Sequence, residues 1–194
     1  MEKRGLTAAL TAAGVTARQR LAWGDEMRVG LCGQVRKVWA PRGVKVRQRI
    51  QFQRVWRYLA LAVDGIHGTL AWRWIARMQG PAIAEALEHW RAQGIEVVVW
   101  DRAGGHRAPE VQQVDVAVIE QPPAALELNP AERVFEELRR VVEGDPYATI
   151  DAKVAAVERE LQALAADPER VKRLAGWAWI CDAYAQLPKK VILP

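Results

Sequence analysis

Ile95-Glu96-Val97-Val98-Val99-Trp100 is a short, nearly all-apolar run that follows Gly94 and ends at Asp101. A strand of that composition is buried on both faces, as in a sheet with helices above and below. Val114 to Ile119 forms a second such run. Ahead of the first, Gly80-Pro81 opens a helix with Ile83, Ala86, Leu87 and Trp90 on one stripe, and Gly94 ends it. These segments predict a helix-crossed pair of buried strands.

The front third changes period. Leu21, Trp23, Met27, Val29 and Leu31 share one parity, while Gly24, Glu26, Arg28 and Gly30 share the other. Alternation of this kind reads as a strand. Pro41-Arg42-Gly43 marks a turn between a run around Val35–Trp39 and one starting at Val44. Tyr58–Val63 and Gly68–Ile75 flank Asp64-Gly65, a hairpin turn. The expectation is an antiparallel meander joined to parallel strands.

Helical spacing governs the rest. Residues 5–20 form a weak helix with Leu6, Leu10 and Val15. Asn129-Pro130 caps a helix that turns Val134, Phe135, Leu138, Val141 and Val142 inward. Ile150, Val154, Val157, Leu161 and Leu164 define another helix. Asp167-Pro168 caps a last one carrying Val171, Leu174, Ala178 and Cys181. The predicted architecture is α/β: a mixed sheet flanked by helices, with a C-terminal helical pair. It divides into a lead-in over 1–20, a central domain over 21–145 and a helical extension over 146–194.

With 194 residues, half of them apolar, the chain has enough material for a real core. No apolar stretch is long enough to span a membrane, and the first twenty residues lack a signal-peptide core. Cys32 and Cys181 lack metal spacing and read as buried or free thiols in a reducing, cytoplasmic compartment. The net charge of +5 is unevenly spread. No acidic residue lies between Met27 and Val63, a stretch holding Arg28, Arg36, Lys37, Arg42, Lys45, Arg47, Arg49, Arg54 and Arg57. Such a block either attracts a polyanion or forms a solvated face.

Three carboxylates stand out. Asp25 shares the parity of Trp23 and Met27, where an apolar residue belongs. It must be paired, protonated, metal-bound or turned out by a bulge. Glu26, on the opposite parity, reads as a solvated neighbour. Asp101 sits past the carboxyl end of a buried strand, a place for ligands and also for ordinary turns. The loop Arg102–Gly105 can bring His106 beside it. Glu132 falls either as a capping-box glutamate behind Asn129 or as a group projecting into a cleft. Together the three carboxylates suit two divalent ions, which need shared oxygen ligands. Zinc clusters, glycine-rich phosphate loops and the Gly-x-Ser-x-Gly elbow are missing from the sequence.

These motifs resemble the catalytic domain of bacterial insertion-sequence DDE transposases related to the mariner superfamily, which has an RNase-H-like fold. Trp23-Gly24-Asp25-Glu26-Met27-Arg28 resembles the family's first-strand motif. Val99-Trp100-Asp101 with His106 resembles the second, an apolar strand ending in Asp-Asn-Ala with a histidine five positions after the aspartate. The run from Gln121-Pro122-Pro123 to Leu128-Asn129-Pro130-Ala131-Glu132 resembles the third, the most specific of them. The likeness covers about Leu21 to Val142. Arg102 stands where the family has Asn, and Ala124-Ala125-Leu126-Glu127 replaces a Tyr-Ser-Pro-Asp loop.

The resemblance implies that Asp25, Asp101 and Glu132 hold Mg²⁺ or Mn²⁺, two ions in all, with His106 and Asn129 supporting them. It implies hydrolysis at transposon ends and attack of the freed 3′-hydroxyl on target DNA, with TA steps favoured because they kink easily. The nucleic-acid contacts expected from the basic block are Arg36, Lys37, Arg42, Lys45, Arg47, Arg49 and Arg54. A homodimer is expected. Family members usually carry helix-turn-helix modules before the first motif, where this chain has about twenty residues; the expectation is a truncated copy, one half of a split reading frame, or a protein that borrows a separate helix-turn-helix DNA-reading module. The other readings are a non-catalytic remnant that binds DNA or protein, and an RNase-H-like nuclease acting on other nucleic acids.

Overall fold

A computed structural model describes residues 3–33, 39–47, 49–123 and 125–189. The elements, in chain order, are α1 (Lys3–Ala12), β1 (Leu21–Gly30), β2 (Trp56–Asp64), β3 (Thr69–Ile75), α2 (Gly80–Ala92) and β4 (Val97–Trp100). They continue with α3 (Pro109–Gln112), β5 (Ala117–Glu120), α4 (Ala131–Val142), α5 (Ile150–Ala165), α6 (Pro168–Ala175) and α7 (Ala178–Ala185). Short 3₁₀ turns lie at Gly104–Arg107 and Leu126–Leu128. The sheet order is β3-β2-β1-β4-β5. Strands β1 to β3 form the antiparallel meander, whereas β4 is parallel to both β1 and β5.

Alternation along the strands builds two cores. Leu21, Trp23, Met27 and Val29 of β1 join Leu59, Leu61, Val97 and Val99 under α1 and α4 to α7. The opposite face carries small residues, Ala22, Ala60, Ala62 and Ala71, packed with Val98 and Trp100 beneath α2. Their size leaves room for Trp90 and Trp100, whose ring centroids are 5.3 Å apart. Gly24 belongs to this face: a Cβ there would stand 3.0 Å from Val98 Cγ1 and 3.2 Å from Trp100 Cε2.

Several expectations need correction. No strand forms among the described residues after Val44 and before β2; the turn at Pro41-Arg42-Gly43 is present, but it lies in an exposed excursion between β1 and β2. The run around Val35 falls mostly outside the described residues. Apolar residues of the excursion find no sheet to join: Trp39, Val44, Val46 and Phe52 are exposed. Val141 points outward, 45% exposed, because it lies beyond the edge of the α4 stripe. The last predicted helix is two, α6 and α7, separated at Gly176-Trp177. The hairpin turn after Asp64 explains the break. A Cβ on Gly65 would stand 2.3 Å from Ala175 O, and one on Gly68 would stand 2.3 Å from Pro168 O. The turn thus rests along α6, and the chain must bend away where α6 ends.

Candidate functional site

The parallel pair β1–β4 registers Trp23 against Val99, and β4–β5 registers Trp100 against Glu120. Two residues further on, β1 continues beside β2, while the chain after Trp100 leaves the sheet for the Gly104–Arg107 turn. The sheet splits there, and Asp25 and Asp101 lie at the split.

Asn129 seats α4 on the same spot. Its Nδ2 donates to Gly24 O (3.2 Å) and to Asp25 Oδ2 (3.0 Å), and its Oδ1 accepts from Ala131 N (3.0 Å). At 2% exposure, this side chain is a buried bracket between β1 and the start of the helix. Glu132 therefore stands in the first turn of α4. The capping-box reading does not hold: the carboxylate of Glu132 pairs with Arg139 Nη1 at 3.3 Å.

Electrostatics mark Asp25 as the focus. Burial pushes its carboxyl up from 3.8 to about 7, and the charges of Glu26, Glu132 and Asp101 push the same way, against a backbone bond from the Glu26 N–H. The donors are hard oxygens, which fit Mg²⁺ or Mn²⁺ better than softer metals. Among the described residues, no group of three or more His, Cys, Asp or Glu side chains is close enough to hold one ion as they stand. The carboxylate of Glu132 is engaged by Arg139.

Glu26 is not solvated. Its side chain is 3% exposed, as is that of His106, and the two meet at 3.1 Å. The other ring nitrogen of His106, Nδ1, is 2.7 Å from Asp101 Oδ1. Burial opposes a charge on His106, but the bonds and charges of Glu26 and Asp101 outweigh it and raise its pKa. The imidazole stacks on Trp100, centroids 4.0 Å apart. A sequence signal for Glu26 was present. If the neighbouring strand is covered on both faces, the opposite parity of β1 is covered too, and a glutamate there needs a partner.

Arg42, Lys45, Arg47, Arg49 and Arg54 are all exposed on the excursion, while Arg36 and Lys37 lie outside the described residues. A cleft of about 360 Å³ lies between this excursion, the end of β1 and the end of α4; Arg28, Arg54, Arg139 and Lys153 line it. Sequence reasoning did not single out Arg139 and Lys153, because their neighbours come from distant segments. Lys153 is buried and donates to Gly30 O at 2.8 Å.

No family model matches the chain, and no curated protein matches it. Solved structures do. The Mos1 transposase paired-end complex with left transposon end aligns with a TM-score of 0.63 and 13% identity, over 95% of this chain and 58% of that one. The Mos1 mariner paired end complex with Mn gives 0.63 and 14%, over 95% and 60%. The Mos1 strand transfer complex gives 0.63 and 13%, over 95% and 62%. The chain spans about three fifths of the length of these Mos1 chains. At such identity the likeness establishes architecture, and the five-stranded mixed sheet with its flanking helices is the RNase-H-like fold of these neighbours.

Proposed function

We propose that the chain is the catalytic part of a DDE transposase, cutting DNA at transposon ends and joining the freed 3′-hydroxyl to a target. The observation that carries this reading is that Asn129 ties the partly buried Asp25, beside the end of β4 and Asp101, to the start of α4, whose first turn carries Glu132. Asp25, Asp101 and Glu132 would hold Mg²⁺ or Mn²⁺. Bound there, the ions supply Lewis acidity toward the oxygens of a phosphodiester. Neighbours of the same fold were solved with Mn and with Mg, which supports that choice.

The protein's own residues do the positioning. Asn129 fixes Asp25 and the start of α4 together. Arg139 holds Glu132 until a cation competes for it. The exposed arginines of the excursion and the cleft cations track DNA phosphates, sequence-independently. In this reading residues 21–145 are the catalytic unit, 1–20 the lead-in and 146–194 the extension. The protein works as a homodimer in the cytoplasm on an insertion sequence, with a helix-turn-helix module reading the ends. Among the described residues no helix is long and apolar enough to cross a membrane.

The test is nicking of supercoiled plasmid in Mn²⁺ at low salt, beside Asp25→Ala, Asp101→Ala and Glu132→Ala. Nicking by the parent, reduced at least about a hundredfold in each variant, is expected if each carboxylate serves the reacting centre. Equal nicking by parent and variants would sink the assignment. A parent that binds DNA without cutting it would be a remnant.

A further inference from the structure

Asp25 and Glu26 are consecutive on β1, so their side chains leave opposite faces of the sheet. Asp25 meets Asn129 from α4. Glu26 meets His106, on the face covered by α2. We propose that Glu26 and His106 form a buried strut that fixes the orientation of Asp101, making Glu26 a positioning residue for the metal site. The inference rests on the metal-site reading above.

Three observations support it. First, Asp101 needs holding: it lies beyond the last residue of β4, and its side chain is 40% exposed. Second, His106 reaches it at two atoms: Nδ1 donates to the main-chain O of Asp101 (3.2 Å) and lies 2.7 Å from Oδ1, the oxygen that also accepts from Ala103 N (2.9 Å). Among the described residues nothing bonds to Oδ2, which leaves that oxygen for a cation. Third, the strut is rigid and dry. Trp100 stacks on the imidazole and is itself packed against Trp90. Glu26 Oε1 and Oε2 lie 3.2 and 3.1 Å from His106 Nε2.

Stability alone does not account for this arrangement. A buried charged pair seldom stabilises a fold more than apolar residues of the same volume would. Its use is directional. A histidine bonded at both nitrogens cannot rotate without losing a bond, and Asp101, bonded to it through the main chain and touching it through the carboxylate, inherits that constraint. One strand thus serves the site from both faces: Asp25 directly, Glu26 through His106.

The test is Mn²⁺ binding to the full chain, read by electron paramagnetic resonance of the free ion, with thermal unfolding recorded in parallel. Glu26→Ala and His106→Ala should each weaken Mn²⁺ binding about ten- to hundredfold while unfolding remains cooperative. The double variant should bind no more weakly than His106→Ala alone, because the two residues act in series. Glu26→Gln preserves the shape and serves if an alanine variant does not fold; it should show a smaller loss in the same direction. Binding within twofold of the parent in the folded variants, or losses that multiply in the double variant, would overturn the strut. Asp101→Asn separates this from the underlying reading. If it binds Mn²⁺ like the parent, the metal site itself is wrong. If it loses binding while the Glu26 and His106 variants keep it, only the strut fails.

Discussion

At Asp25 a carboxyl sits where the alternation of β1 calls for an apolar residue, and the fold holds it at about 7 instead of 3.8. The folded protein therefore binds this proton more tightly than the unfolded chain does. The stability this group contributes is fully present below its unfolded value and is lost as pH rises through about 7. Metal-free protein in chelator should lose thermal stability from about pH 5 to about pH 8, and Asp25→Asn, which stays neutral, should flatten that loss. An unchanged pH slope in Asp25→Asn would show that other groups set it. Excess Mn²⁺ should restore stability at the alkaline end, because it binds the ionised form. The sequence made Asp25, Asp101, His106 and Asn129 visible through motif and parity. Glu26 was harder to read: parity beside a doubly covered strand signalled burial, but its partner is 80 positions away. A charge on the less apolar parity looks solvated until the covering helix is known.

Elements were legible where one strong pattern governs them. The stripe of α2, the burial of β4 and the meander turn after Asp64 all follow from local periodicity and turn chemistry. The excursion between β1 and β2 was not legible, because the run starting at Val44 needs a partner strand to become a strand. Equally hidden was the division of the last helix. Residues 168–185 keep a helical stripe, but the β2–β3 turn lies against α6 and fixes where it stops. This packing makes a direct prediction: Gly65→Ala places a methyl 2.3 Å from Ala175 O. Forced displacement of α6 should cost roughly 1–3 kcal/mol. Differential scanning calorimetry should show Tm lowered by several degrees, whereas Gly30→Ala, with open space around its Cβ, should shift it far less. Equal shifts would show that the turn tolerates the extra carbon.

Across the whole molecule, charge is sorted by region: Asp25, Glu26 and Asp101 lie where the sheet splits, and cations line the excursion and the adjoining cleft. A negative site flanked by positive surface attracts divalent ions and nucleic acid to neighbouring places. Charge reversal at Arg47 and Arg49 should weaken DNA binding evenly across sequences and lower the salt slope by about one for each phosphate no longer neutralised. Filter binding at several salt concentrations measures both, and unchanged affinity and slope would move the DNA path elsewhere. The claim on which the functional account depends is that Asp25, Asp101 and Glu132 form one metal site. Crystals soaked in Mn²⁺ test it through anomalous scattering. The account predicts a peak held by Asp25, Asp101 and Glu132, and disappearance of that peak in Asp101→Asn. Mn²⁺ bound away from these three carboxylates, or not bound at all, would contradict it.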